Sequence, residues 1–376
     1  MSGDVIIVGA GVVGAACAWY ATRAGLRVTV LDRGPVAGGT TGAGEGNLLV
    51  SDKPRGPELD LALRSITLWQ GLAEEIGGFE YDGKGGLVVA YGEPSLQALE
   101  AVARGQRSAG ADAVIVPAGD LPMYEPQLAR DVAGGCHYPQ DAQVQPMLAA
   151  ARLLAAARAA GARVCTGVTV TGLVRSGDRV EGVRTSAGDL PAGAVVNAAG
   201  TWSGDIAAMA DVTVPVSPRR GFILVTEPLP STVRHKVYAA EYVDAVASDD
   251  AALQISPVVE GTESGTILIG SSRERVGMDR TLAVDVLRRL AAAAVRLFPM
   301  LAGVSAIRAY CGFRPYSPDQ LPIIGPDPRA PGLMHACGHE GAGVGLAPAT
   351  GELIAGALTG QTQTVDPSPF RPERFG

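Results

Sequence analysis

Apolar positions along this chain alternate between short unbroken runs and stretches at helical spacing. Val5-Ile6-Ile7-Val8 is a β-branched run that predicts a strand. It passes through Gly9-Ala10-Gly11-Val12-Val13-Gly14 into an Ala-rich helix from Ala15 to Ala24. Arg27-Val28-Thr29-Val30-Leu31 predicts a second strand, ending in Asp32. Helical spacing returns over Leu59 to Ile76, near Pro94 to Ala109, over Gln145 to Ala160, over Leu282 to Phe298 and over Ala347 to Leu358. Between these lie short strands, including Gly86–Ala90, Ala162–Cys165, Val168–Val170, Ala194–Ser203, Gly221–Thr226 and Thr266–Gly270. Arg175 to Val183 has the look of a hairpin.

The alternation of nucleotide-type and strand-rich segments predicts an α/β protein of two interleaved, discontinuous domains. Residues 1–78, 142–213 and 308–376 are expected to form a Rossmann-like unit that binds the cofactor. Residues 79–141 and 214–307 are expected to form a strand-rich unit for the substrate. At 376 residues the chain is long enough for both cores.

Composition narrows the functional classes. The net charge of −7 provides no basic field for nucleic acid. Five scattered cysteines form no C-x-x-C, so neither a zinc site nor a disulfide framework is expected, and a cytoplasmic setting is. No apolar run is long enough to cross a bilayer, and a strand starting at about residue 4 leaves no room for a signal peptide. Only three lysines occur, Lys53, Lys84 and Lys236.

The most specific chemistry lies at the start. A G-x-G-x-x-G between strand and helix lets backbone approach a pyrophosphate, which then meets the unsatisfied N–H groups of the helix N-terminus. Asp32, eighteen residues beyond Gly14, is placed to accept hydrogen bonds from an adenosine ribose. This frame predicts a dinucleotide without saying which one. The following stretch, Gly34 to Asn47, is rich in glycine and hydroxyls and reads as a ligand-wrapping loop.

Four segments in order carry a family resemblance: the glycine turn with Asp32-Arg33, the strand Val195 to Trp202, Gly312-Phe313-Arg314-Pro315 with Pro322-Ile323-Ile324-Gly325, and Gly338 to Pro348. Together they resemble the D-amino-acid oxidase family of FAD-dependent amine oxidoreductases, over nearly the whole chain. Gly44-Glu45-Gly46-Asn47 and Gly338 to Gly343 are most similar to the flavin subunits of hydrogen cyanide synthase, opine oxidase and D-hydroxyproline dehydrogenase within it. The resemblance implies a glutathione-reductase-type FAD fold and oxidation of a C–N bond in a small amino acid or secondary amine. Glycine, sarcosine, a proline derivative, a D-amino acid or an opine-like compound are the candidate substrates.

It also distributes the cofactor contacts. Gly9 to Gly14, with Ala10, Val12 and Val13 between the glycines, would take the pyrophosphate, and Asp32 and Arg33 the adenosine end. Thr40 and Thr41 would donate to phosphate or ribityl oxygens, and Val168 would meet the adenine through its backbone. Gly46, Asn47, Leu48, Ala199, Gly200, Trp202 and Gly312 join the cofactor set. Gly341, Gly343, Val344 and Gly345 would offer N–H groups to the flavin pyrimidine. The covalent cysteine of monomeric sarcosine oxidase aligns with Gly312, and Cys311 is out of register, which implies noncovalent FAD.

On the substrate side the resemblance makes Arg314 a bidentate carboxylate clamp, a role that guanidinium geometry suits. Glu45 and Glu340 either face the flavin and tune a substrate amine or cap backbone turns. Gln254 stands where glycine-oxidase-like chains carry a tyrosine, so Tyr242, Tyr310 or Tyr316 would supply the missing aromatic. No counterpart of an oxygen-activating lysine is evident. The acceptor is therefore open between oxygen and partner flavin or iron–sulfur subunits, in a hetero-oligomer or a homo-oligomer. A flavin-binding subunit without turnover, and a nicotinamide dehydrogenase, are the rival readings. His339 is expected to support its turn, Lys53 to pair with Asp52 on the surface, and Cys337 to pack. His137, His235 and His335 carry no functional expectation.

Overall fold

The computed structural model describes residues 4–241 and 251–376. Tyr242 lies outside the described residues. Two large sheets organise the rest. The first has six strands in the order Ile323–Pro326, Leu333–Cys337, Ala194–Asn197, Asp4–Val8, Arg27–Asp32 and Arg163–Thr166. All neighbours run parallel except Ile323–Pro326, which is antiparallel to Leu333–Cys337.

The first strand is apolar without alternation because both of its faces are covered. Val5 and Ile7 share a core with the helices Val12–Arg23, Pro146–Ala159 and Gly343–Thr359. Ile6 and Val8 share another with the small antiparallel sheet of Val170–Ser176, Arg179–Thr185 and Gly188–Pro191. Each such buried aliphatic side chain contributes about 1.5–3 kcal/mol relative to exposure. The predicted hairpin belongs to two of the three strands of this second layer.

The other large sheet has eight strands in the order Ala306–Tyr316, Ser217–Thr226, Ile267–Arg273, Gln254–Gly261, Lys236–Ala239, Gly86–Ala90, Gly134–Tyr138 and Val114–Pro117. Helix Val284–Leu297 covers one face through Leu290, Ala294 and Leu297. On the other face, Val88, Tyr138, Tyr238 and Val258 join the core of the first helical layer. The boundary expected at residue 308 falls inside Ala306–Tyr316, which belongs wholly to the eight-stranded sheet. Arg314 thus reaches the cavity from that sheet.

Most helices lie within two residues of their expected spans. Two helices start earlier: the first runs Val12–Arg23, three residues early, and the closing helix runs Gly343–Thr359, four residues early. Its N-terminus therefore falls inside the glycine-rich run. Among the described residues no helix is long and apolar enough to cross a membrane.

Candidate active site

Gly9 leaves the first strand with φ +119°, a conformation that side chains rarely adopt. A Cβ there would lie 2.3 Å from the Ala198 carbonyl oxygen, and one on Gly14 would lie 2.0 Å from that of Gly9. The turn is closed by Asp32, whose two carboxylate oxygens accept from Ala10 N at 2.7 Å and Gly34 N at 2.8 Å. Thr41 Oγ1 accepts from Val12 N at 3.1 Å and so satisfies one of the first N–H groups of helix Val12–Arg23.

These groups border a cavity of about 530 Å³ that runs between the two sheets. Of the expected cofactor residues, Gly9, Gly11, Val12, Val13, Asp32, Arg33, Thr40, Thr41, Asn47, Val168, Ala199, Gly200, Trp202, Gly312, Gly341, Gly343 and Val344 line it. At one end the Arg33 guanidinium stacks 4.3 Å from the Trp202 ring. The N-termini of helices Val12–Arg23 and Gly343–Thr359 both open onto the cavity, giving it two positive helix ends.

Five expected cofactor residues do not line this cavity. Ala10 faces Asp32 through its N–H, and Gly14 is a packing glycine. Gly46 is pressed against Val144, where a Cβ would lie 1.7 Å from its carbonyl oxygen. Leu48 is buried in the core on the two-residue strand Asn47–Leu48. Gly345 sits behind the helix entrance, its carbonyl accepting from Ser65 Oγ at 2.6 Å and Trp69 Nε1 at 3.2 Å. Two hydroxyl or backbone roles also change. Thr40 gives its proton to the Phe313 carbonyl at 2.6 Å, and Val168 N donates to Asp32 O at 3.0 Å. Only the carbonyl of Val168 is left to face an adenine.

The substrate end is built on the sheet of Ala306–Tyr316 and Ser217–Thr226. Gly221 pairs with Gly312 and Arg219 with Arg314, so these side chains share one face. A Cβ on Gly221 would lie 2.3 Å from Arg314 Nη1, so the bare glycine is what lets this arginine fold over the sheet. Arg314 Nη1 donates to Ser272 O at 2.8 Å, which helps to fix the guanidinium at the cavity wall.

Glu340 lies across from it, with φ +47° and its N–H bonded to Pro315 O at 3.0 Å. Its carboxylate is 3.5 Å from Arg219 and 3.9 Å from Arg273. Burial alone would raise this carboxyl, but Arg314, Arg273 and Arg219 outweigh it and hold Glu340 below the usual carboxylate range. Arg219 is lowered by burial and by the like charges of Arg273 and Arg314. Among the described residues the guanidiniums of Arg219, Arg273 and Arg314 gather around the carboxylate of Glu340, a grouping that favours an anionic ligand.

Glu45 approaches from the loop between the sheets and lines the same cavity. Its Oε2 accepts from Asn47 Nδ2 at 3.3 Å, and its buried Oε1 has no hydrogen-bond partner among the described residues.

A family model described as "FAD dependent oxidoreductase" matches residues 4–357. The chain belongs to this flavoprotein family. It is 32% identical to glycine oxidase of Pseudomonas putida, with 99% of each chain covered. It is 30% identical to hydrogen cyanide synthase subunit HcnC of Pseudomonas aeruginosa, over 99% of this chain and 96% of the relative. Among solved structures, glycine oxidase from Geobacillus kaustophilus matches with a TM-score of 0.88 at 27% identity, covering 98% of each chain. The fold is also that of L-proline dehydrogenase from P. horikoshii, with a TM-score of 0.91 at 24% identity, covering 99% and 97%.

The protein is thus an FAD-dependent oxidoreductase, and its cavity fits that cofactor. Gly9, Gly11, Gly312 and Gly341 bring bare backbone to the cavity, and two helix N-termini face it at separate points, as a long pyrophosphate-containing molecule requires.

Several expected site residues stand apart from the cavity of this flavoprotein. Tyr316 is buried beneath the guanidiniums of Arg219 and Arg275, at 5.4 and 5.1 Å from its ring. Gln254 Oε1 accepts from Arg219 Nη2 at 3.3 Å, so both residues act behind the wall. Tyr310 shares the inward face with Gly312 and Arg314, and its hydroxyl is pushed up to about 12 by burial and by the charge of Glu45. Cys311 alternates to the other face, where Sγ meets Arg280 O at 3.8 Å.

Lys53 corrects an expectation: its pair with Asp52 is buried, not on the surface. It lies beside Gly341 and Gly345 at a second, much smaller pocket. His339 bonds Thr350 Oγ1 at 2.9 Å and is lowered to about 3 by burial, so it is a neutral supporting group. His335 bridges Asp327 and Asn197, and His235 bonds Glu125. Arg219, Arg273 and Gly221 went unnoticed because nothing in their local sequence marks them; only the strand pairing brings them to Arg314.

Proposed function

We propose that this flavoprotein oxidises the C–N bond of a small amino acid or N-substituted amino acid, in the cytoplasm, to an imine that water hydrolyses to a carbonyl product. The observation that carries the reading is Arg314, oriented by Ser272 O and set in an arginine-rich wall of the cofactor cavity. A guanidinium held in this way offers parallel N–H donors to a carboxylate. Bound FAD would supply the two-electron acceptor for the C–H bond next to nitrogen.

The protein's own residues orient and shield. Gly9, Gly11, Asp32, Arg33, Thr41, Trp202 and the Gly341–Val344 entrance would hold the cofactor along the cavity. The thiol of Cys311 points away from it, which supports noncovalent attachment. Arg314 would fix the carboxylate so that the adjacent carbon faces the flavin, turning a bimolecular encounter into an oriented one. We assign the residues of the six-stranded sheet to the cofactor unit and those of the eight-stranded sheet to the substrate unit.

A second reading concerns the acceptor alone. One relative at 30% identity is named as a subunit of hydrogen cyanide synthase, which supports electron transfer to partner subunits in place of oxygen. Anaerobic mixing of the purified protein with glycine, sarcosine, proline and D-amino acids should bleach the flavin band at about 450 nm for at least one of them. Rapid recovery in air marks an oxidase, and slow recovery a dehydrogenase. Arg314→Lys should reduce kcat/KM for carboxylate substrates by about 100-fold or more while FAD content stays constant. Unchanged turnover in that variant would remove the clamp.

A further inference from the structure

The carboxylate of Glu45 is a feature of the cavity that an anion clamp leaves unused. Its residue is 9% exposed, it lines the cavity, and Oε1 has no hydrogen-bond partner among the described residues. A buried carboxylate in that state is costly unless something with donors or positive charge completes it.

The surroundings are arranged for it rather than crowded by accident. Gly270 lies directly beneath, where a Cβ would stand 2.1 Å from Oε1, so any side chain at 270 would expel the carboxylate. Lys236 is fully buried and feels the charge of Glu45, but its ammonium contacts Glu260 directly, and Glu45 Oε1 accepts no hydrogen bond from the described residues. Asn47 supplies one neutral N–H, and Tyr310 carries a neutral phenol.

We propose that Glu45 docks the cationic nitrogen of the substrate, making the site selective for zwitterions: an α-amino acid or an N-alkylated glycine. This rests on the reading of Arg314 as the carboxylate clamp. Arg314 is anchored on Ser272 and Glu45 sits over Gly270, both on the strand Ile267–Arg273, and Arg314 and Glu45 line the same cavity. A plain carboxylate leaves the buried Glu45 oxygen without a donor, and a plain amine forgoes the carboxylate contact with Arg314, so each binds less tightly than a zwitterion.

Two unreactive probes test this: glycine betaine and 3,3-dimethylbutanoate, which differ only in a quaternary nitrogen against a quaternary carbon. Calorimetric titration of the FAD-loaded wild type should show betaine binding about tenfold or more tighter. Glu45→Gln should abolish that preference while leaving the affinity for dimethylbutanoate equal or higher. Arg314→Lys should weaken both probes and keep their ratio. Equal affinities in the wild type, or a preference that survives Glu45→Gln, would overturn the role of Glu45 alone. Insensitivity of both probes to Arg314→Lys, or binding of neither by the wild type, would overturn the clamp on which it rests. Because the wild-type comparison needs no variant, the proposal stays testable even if Glu45→Gln fails to fold.

Discussion

At the scale of single residues, the site depends on side chains whose neighbours determine their charge. Arg314 and Glu340 are three-dimensional partners, and each would be unremarkable in isolation. His339 shows the same rule with stability as the readout. Burial holds it neutral, lowering its pKa to about 3 from an unfolded value of about 6.5. Between these two values the unfolded chain binds the extra proton, so stability rises with pH across the window. The contribution is complete above about pH 6.5 and is lost as pH falls toward 3. Denaturant unfolding at pH 7 and pH 4.5 should show a loss larger by about 3 kcal/mol in the wild type than in His339→Gln. Equal losses would mean that His339 is protonated in the folded state.

At the scale of elements, the strand–turn–helix at the N-terminus and the helix Gly343–Thr359 present their positive ends to one cavity. Each end is held from behind: the first by Asp32 and Thr41, the second by Ser65 and Trp69 on the Gly345 carbonyl. The glycine turn has no slack. Gly9→Ala must place a methyl 2.3 Å from the Ala198 carbonyl at positive φ, which costs about 3 kcal/mol through overpacking and backbone strain. The purified variant should unfold at lower denaturant and carry little FAD, read as flavin absorbance per protein. Full occupancy at wild-type stability would show that the turn can relax.

At the scale of the whole molecule, the cavity is where the six-stranded and eight-stranded sheets meet, and both contribute its walls. FAD that binds only the folded chain should stabilise both sheets together. Adding FAD to the stripped protein at 100 times Kd should contribute about 2.7 kcal/mol, with a Tm that keeps rising with FAD concentration. Melting followed by circular dichroism and by tryptophan fluorescence should move together. A shift in one signal alone would place the cofactor in only one of the two sheets.

The sequence by itself was enough for the dinucleotide turn, the alternation of the two kinds of segment and most helices, because these signals are local. Val5 to Val8 reads as a strand and Gly9 to Gly14 as a turn whatever the rest of the chain does. The four motifs in order were enough for the family, and the family for FAD. Tertiary structure decided what required distant residues to meet. It moved Tyr316 and Gln254 behind the wall, buried Lys53, and put Gly345 outside the cavity. It also brought Arg219 beside Arg314 through strand pairing, and Glu45 over Gly270, 225 residues further along the chain. Periodicity says which face of a strand a residue takes, but not what lies opposite. The charge balance of a buried site is set by what lies opposite, so the chemistry of the substrate end emerged only with the fold.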